Sequence, residues 1–582
     1  MADYPGVKAA RWLCYNFRST SASREERVPF QERAAVLPHV PGMMRETSGN
    51  VVRVSSSIGS AFPLRLRPQG PLPADHPRTA SLTVWVYAIA AAAVPLHFAF
   101  NGRYGYFRDE LYYAACGQHL AWGYADQAPL VALVARLSRV LLGDSLFALR
   151  FFPALSAAAK IWLSGWIAKE LGGQRFAQLL AALTVLFAPI YLTFDNFLSM
   201  NAFEPVFWMA CVAILLRILN GGAQTLWLWF GLVAGLGILN KHSMLFFGSG
   251  IFVGLWLTPA REAFTKKWIW LAAALAGLLF LPNLLWEMRH GWPTIAVLQT
   301  VIGTKYSTVT PWQYVWQQSL LTNPLAAPLW LAGLWYLLGD SVGKKYAALG
   351  WAYCVLLAEM IALHGKIYYM APAYPVLLAA GAVWLELRAL PRTGDWLKPA
   401  VVAPLLVSGV IAAPLAMPIL PIDWAVKYCR FWDVSAVKVE NVPLADLPQL
   451  FADMYGWPEQ VQGVAHVFNS LSSQERQRCA LLAYNYGQAA AIDYFGGAYG
   501  LPPAISGHNQ YGLWGPRGSS GDVVIAIGFT QSRLREIFQE VTPAARVTSR
   551  YAMPEEADLI IYLCRKPKCP LPEIWSNLRW LG

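Results

Sequence analysis

The chain has 582 residues, of which 56% are hydrophobic and only 14% charged, with 26 Trp and 26 Tyr. Soluble domains average about 25% charged residues, so this sequence lacks the side chains to cover a water-facing surface of its size. The net charge of +12 does not point to nucleic acid, because Lys and Arg collect in short loops between apolar runs, where they report orientation in a bilayer.

Residues 1–80 are basic, rich in Arg, Ser and Pro, and have no sustained apolar period, which predicts a disordered cytoplasmic tail. No apolar signal-peptide core follows Met1. Apolar runs then occur near 82–101, 148–168, 176–194, 204–220, 225–240, 243–258, 268–286, 320–338, 346–363, 367–386 and 399–420. They predict a polytopic α-helical membrane protein with roughly eleven transmembrane helices. The run at 204–220 is the least regular, bounded by Glu204 and interrupted by Arg217. With the N-terminus cytoplasmic, alternate turns carry Lys169 and Arg175, Arg217, Arg261 with Lys266 and Lys267, Lys344 with Lys345, and Arg388 with Arg392 and Lys398. This is the positive-inside pattern. It sets a transmembrane region over 81–420 with a first outer loop at 102–147, and puts residues 421–582 on the periplasmic side.

The tail after 421 has ordinary polarity. Segments 479–484, 522–527 and 558–563 read as short buried strands, and 457–478, 487–496 and 530–541 as helices, which predicts a soluble α/β domain. The eight cysteines form no CxxC pair. With Cys429, Cys479, Cys564 and Cys569 all in the tail, one or two disulfides become possible there if it is periplasmic, with a connectivity that spacing does not give.

The outer loops carry the chemistry. Arg103 to Tyr113 includes adjacent Asp109 and Glu110 followed by Tyr112 and Tyr113, and Gly123 to Leu130 includes Asp126 and Gln127. Two carboxylates directly after a membrane helix are costly unless solvated or used. They read either as a general base taking a proton from an attacking acceptor, or as an acidic pair favoured by the dipole of a helix starting at 109. Phe194 to Asn201, with Asp195 and Asn196, forms a second polar outer segment. Lys241-His242, Lys366 and Arg103 are outer-face cations that read either as holders of a lipid phosphate or as snorkelling anchors. Within the second span, Lys160 reads as snorkelling toward the cytoplasm in preference to neutralising a carboxylate. Glu359 reads as part of an ion pair as readily as a catalytic group. The loop around 508–511 reads as a packed cover of the small domain in preference to a sugar-binding loop.

Several segments resemble the GT-C membrane glycosyltransferases, in the bacterial branch related to dolichyl-phosphate-mannose protein mannosyltransferases and lipid A aminoarabinose transferases. They are Asp-Glu-Leu-Tyr-Tyr (109–113), Gly-Tyr-Ala-Asp-Gln-Ala-Pro-Leu (123–130), FDNFLSMNAFEP (194–205), GLGILNKHSM (235–244), GKIYYMAPAYP (365–375) and SGHNQYGLWGP (506–516). The resemblance implies a transferase that moves a monosaccharide from a polyprenyl-phosphate donor to a lipid, glycan or protein acceptor of the envelope, at the periplasmic face of a bacterial inner membrane. It implies Asp109 as the acceptor-activating carboxylate, with Glu110 supporting it. Lys241, Lys366, Arg103 and His242 would meet the donor phosphate, and Tyr112, Tyr113, Asp126, Gln127, Asp195, Asn196 and Tyr368 would shape the pocket. Relatives in the aminoarabinose branch often have Lys before Pro-Pro-Leu, where this chain has Gln127 and Ala128, which argues against that branch. No cofactor is expected, a divalent metal being left open. The alternatives are a transporter or flippase of a lipid-linked sugar, or a non-catalytic lipid-binding scaffold. No inverted repeat of the transporter type is visible.

Overall fold

The computed structural model describes residues 81–304, 310–433 and 446–582. The basic tail at 1–80, with Cys14, lies outside the described residues. A backbone in lipid must satisfy its polar groups internally, and a helix occupies each apolar run. Six of these helices are long and apolar enough to cross a membrane: Leu146–Glu170, Met200–Leu219, Lys267–Arg289, Gly343–Ala362, Ile367–Thr393 and Leu397–Ala416. A seventh is added if Met244–Trp256 and Pro259–Thr265, bent by 109°, count together. The bend falls at Pro259, whose missing N–H cannot continue the helical ladder. Val84–Phe98, Arg175–Leu186, Leu226–Asn240 and Pro324–Leu338 are shorter apolar helices.

Ile367–Thr393 is the most enclosed helix, whereas Lys267–Arg289 and Leu397–Ala416 present most of their surface outward, including Trp270, Leu278, Val407 and Val410. That inversion suits a protein whose outer solvent is lipid. Close helix approach depends on small residues. A Cβ on Gly333 would meet the Leu377 carbonyl oxygen at 1.9 Å, and one on Gly381 would meet that of Leu329 at 1.9 Å.

The tail region holds a five-stranded sheet in the order β2-β1-β3-β5-β4. Its strands are β1 (Cys479–Ala483), β2 (Ala504–Ser506), β3 (Val523–Ile527), β4 (Phe538–Thr548) and β5 (Asp558–Pro567). β1 runs parallel to both β2 and β3, with Leu481 opposite Ala504 and Ile525, while β5 is antiparallel to β3 and β4. Strand side chains alternate between faces, so β1 and β3 serve two cores. Ala480, Leu482, Val524 and Ala526 pack on Gln531–Ile537 and Leu571–Leu578. Leu481, Ala483, Ile525 and Ile527 face Trp457–Asn469 and Tyr486–Phe495, and this core runs on without a break into Leu111, Tyr112, Tyr113 and Cys116 of the first loop. The sheet domain is thus fastened to the first loop by shared apolar core.

Several expectations are corrected. The helix expected at 530–541 ends at Ile537, and β4 follows it; the strand's side chains are mostly exposed, so it carries no apolar alternation to read. The helix expected at 457–478 is two helices, Trp457–Asn469 and Ser473–Arg478, the second started by a Ser472–Glu475 capping box. Cys429, Cys479 and Cys564 are free buried thiols, so no disulfide joins any of these three. Lys160 does not snorkel: it is fully buried and paired with Asp195.

Candidate active site

The first loop enters the helix Arg108–Gln118, which places Asp109 and Glu110 in its first turn. The two adjacent carboxylates have opposite environments. Glu110 is fully buried. It pairs with buried Arg150 at 2.9 and 2.8 Å and accepts from the backbone N–H groups of Phe107 (2.9 Å) and Leu198 (2.8 Å). Arg150 also donates to the carbonyls of Asn101 and Gly105, each at 2.7 Å. Glu110 therefore spends its hydrogen-bonding capacity tying the loop to two membrane helices. It does not have the solvent access a catalytic group needs.

Asp109 is half-buried. Its Oδ1 accepts a hydrogen bond from the Tyr486 hydroxyl at 2.8 Å. Among the described residues no cation pairs with it, and its Oδ2 accepts no hydrogen bond. Burial pushes the Tyr486 phenol well above its ordinary range, so the group stays protonated and donates. Asp126, on the same loop, accepts from Tyr112 Oη at 2.7 Å and from Asn509 Nδ2 at 2.7 Å. Burial raises its carboxyl to about 6; the charge of Asp109 adds to the rise, and the bonds from Tyr112 and Asn509 oppose it. Tyr113 is buried, and burial with Asp109 and Asp126 raises its phenol strongly.

Lys241 follows the helix Leu226–Asn240. It pairs with Glu204 at 2.7 Å, donates to Asn201 Oδ1 at 2.8 Å, and lies 4.7 Å from the Tyr369 ring centroid and 5.6 Å from that of Tyr368. Lys366 lies 5.9 Å from the same Tyr368 ring. Both lysines therefore lie close to one aromatic side chain. Tyr368 connects to the start of the acidic helix through Phe194 (5.5 Å), Phe197 (6.1 Å) and Phe107 (4.5 Å). Two of the expected phosphate contacts are placed elsewhere. Arg103 donates to the Ile419 carbonyl and covers Phe100. His242 Nε2 bonds Asn283 Oδ1 at 3.0 Å, and Asn283 in turn holds the Trp122 carbonyl. Asp195 is buried in its pair with Lys160 and lines no open space. Asn196 and Gln127 are buried; among the described residues the Asn196 amide has no hydrogen-bond partner, and the Gln127 side chain lies against the Cys116 thiol. Glu359 accepts from Ser249 at 2.6 Å and, among the described residues, forms no ion pair. Among the described residues no group of three or more His, Cys, Asp or Glu side chains suits a metal ion.

Sequence reasoning missed Arg150, Glu204, Tyr486 and Asn509. Arg150 carried a usable signal, being a basic residue in the polar stretch before a span, at an end where the positive-inside reading of the sequence expects few cations. The loop at 508–511 does not merely cover the small domain. Besides Asn509 on Asp126, Gln510 accepts from the Ala125 N–H at 3.0 Å, and its own N–H donates to Tyr112 Oη at 3.2 Å.

The family model for dolichyl-phosphate-mannose-protein mannosyltransferase matches residues 126–286. The lipid A galacturonosyltransferase RgtD of Rhizobium johnstonii is 27% identical over 206 residues, which is 34% of this chain and 41% of the relative. The chain thus spans about two fifths of the length of that curated relative. ArnT from Cupriavidus metallidurans bound to undecaprenyl phosphate superposes with a TM-score of 0.57 at 14% identity, covering 83% of this chain and 98% of ArnT. The apo form of the same protein gives 0.53 at 14% identity, covering 82% and 97%. The resemblance read in the sequence therefore holds: this chain has the fold of the GT-C membrane glycosyltransferases.

Proposed function

We propose that the protein is a polyprenyl-phosphate-sugar-dependent glycosyltransferase that moves one monosaccharide to an envelope acceptor by inverting displacement, with Asp109 as the base. The observation that carries this reading is that Asp109, alone of the adjacent acidic pair, is half-exposed, free of any cation among the described residues, and held by a neutral donor on one oxygen only. Asp109 takes the proton of the acceptor hydroxyl as that oxygen attacks the anomeric carbon. The bond to the phosphate oxygen breaks, and the charge developing on the polyprenyl phosphate is met by Lys241 and Lys366, both close to Tyr368. Glu204 keeps Lys241 oriented while no phosphate is bound.

The fold shared with ArnT and the name of the Rhizobium relative support a lipid-linked donor and a lipid acceptor of the lipid A class. The positive-inside pattern supports eleven spans, a cytoplasmic N-terminus and a periplasmic active face in the inner membrane. The test follows sugar release from a panel of labelled undecaprenyl-phosphate monosaccharides in proteoliposomes. Wild type turns over one donor, and Asp109→Asn loses about a hundredfold or more. Equal rates in the two proteins contradict the assignment, and donor binding without turnover favours a transporter or scaffold.

A further inference from the structure

We infer that the α/β domain completes the active site, with Tyr486 as the positioning residue of Asp109 and Asn509 as that of Asp126. The inference rests on the reading of Asp109 as the base. Both acidic side chains belong to the first loop, yet each takes a hydrogen bond from a residue more than 370 positions away, Tyr486 at a separation of 377 and Asn509 at 383.

The position of Tyr486 is over-determined. Its ring packs on Tyr112 at 4.5 Å and on His508 at 4.8 Å, and the Arg108 guanidinium covers it at 5.6 Å. It opens the helix Tyr486–Phe495, whose N-cap Asn485 closes a capping box with Gln488. The next residue, Gly487, lets Arg108 come close, since a Cβ there would meet Arg108 Cγ at 2.7 Å. Asn509 has a left-handed backbone (φ 47°), which Asn tolerates better than most residues.

The chemistry of the two donors suits a base. A cation on Asp109 would neutralise it and weaken its pull on a proton, whereas a neutral hydroxyl fixes the rotamer and leaves the charge in place. With Oδ1 occupied by Tyr486, Oδ2 is the oxygen left to receive the acceptor proton. The titratable and charged groups around Asp109 are Arg108 on its own helix, Tyr113 one turn on, Asp126 from the loop, and Tyr486 from the α/β domain. Of these, Tyr486 is the one that donates a hydrogen bond to it. Loss of that donor frees the Asp109 carboxylate to turn away from the acceptor, so it acts on kcat through orientation and leaves donor binding alone.

The experiment uses the full chain in proteoliposomes with the undecaprenyl-phosphate monosaccharide that the panel identifies as donor. It compares kcat and donor KM of wild type, Asp109→Asn, Tyr486→Phe and Asn509→Ala. Tyr486→Phe keeps the ring contacts and removes only the hydroxyl. It is expected to lower kcat about tenfold at neutral pH and leave the donor KM within about twofold. Asn509→Ala is expected to lower kcat by less, through Asp126, with the donor KM again unchanged. Asp109→Asn inactive, with both other variants at the wild-type kcat, or with their loss in KM and not in kcat, overturns the inference and leaves the base in place. Asp109→Asn active at the wild-type rate overturns the base reading itself, and the inference with it.

Discussion

Two sets of carboxylates share this molecule and are held in opposite ways. Glu110, Asp195 and Glu204 are buried and each is closed by a cation, Arg150, Lys160 and Lys241 respectively. Asp109 and Asp126 are held by Tyr486, Tyr112 and Asn509, which carry no charge. A buried ion pair gains little net stability over apolar packing, but losing one partner is expensive, so the first set fixes geometry. Neutral donors fix geometry as well but leave the negative charge available. The contrast is sharpest between neighbours: residues 109 and 110 are both acidic, and one helical step sends one to the interior and the other to the rim.

The comparison can be broken most directly on its structural side. Arg150→Met leaves Glu110 buried without a cation and is expected to cost about 3–5 kcal/mol of stability, read as a large fall in the unfolding midpoint in detergent. A midpoint within a degree or two of wild type would mean that Glu110 is not the fastening it looks to be. A smaller effect is expected at the lysine pair. Lys241→Gln is expected to raise the donor KM about tenfold by removing a charge-assisted phosphate contact, with kcat less affected. If KM is unchanged while the midpoint falls, Lys241 belongs wholly to the first set.

The smallest effect concerns Asp126 and pH. Its carboxyl titrates at about 6 in the folded chain against an ordinary 3.8, so between those values the folded chain holds a proton that the unfolded chain has released. Its contribution to stability is therefore fullest below about pH 4 and is lost as pH rises through 6. Melting curves from pH 4 to 7 are expected to flatten in Asp126→Asn, and an unchanged slope would remove Asp126 from the titrating set.

Much of this was legible in the sequence because it is local. Apolar runs name the helices, and the acidic motif, Lys241 and Lys366 are visible as polar residues where lipid or interface is expected. The roles within the motif were not legible, since what distinguishes Glu110 from Asp109 is distant in sequence: Arg150 lies 40 positions away and the Leu198 N–H 88. Asp195 looked like a pocket residue because its partner Lys160 lies in a different apolar run. Glu204 looked like the blemish in a weak span, yet it is the counter-charge of Lys241. β4 escaped because an edge strand exposed along most of its length has no buried face to set a period. Tyr486 and Asn509 matter through contacts between regions, which no local pattern encodes.

The most direct measurement sets Asp109→Asn beside Glu110→Gln, with sugar transfer and unfolding midpoint read on the same preparations. The account predicts that Asp109→Asn keeps the wild-type midpoint and loses about a hundredfold or more in turnover, while Glu110→Gln loses stability first and turnover only in proportion to the protein left folded. A stable, inactive Glu110→Gln alongside an active Asp109→Asn would reverse the assignment and contradict the account.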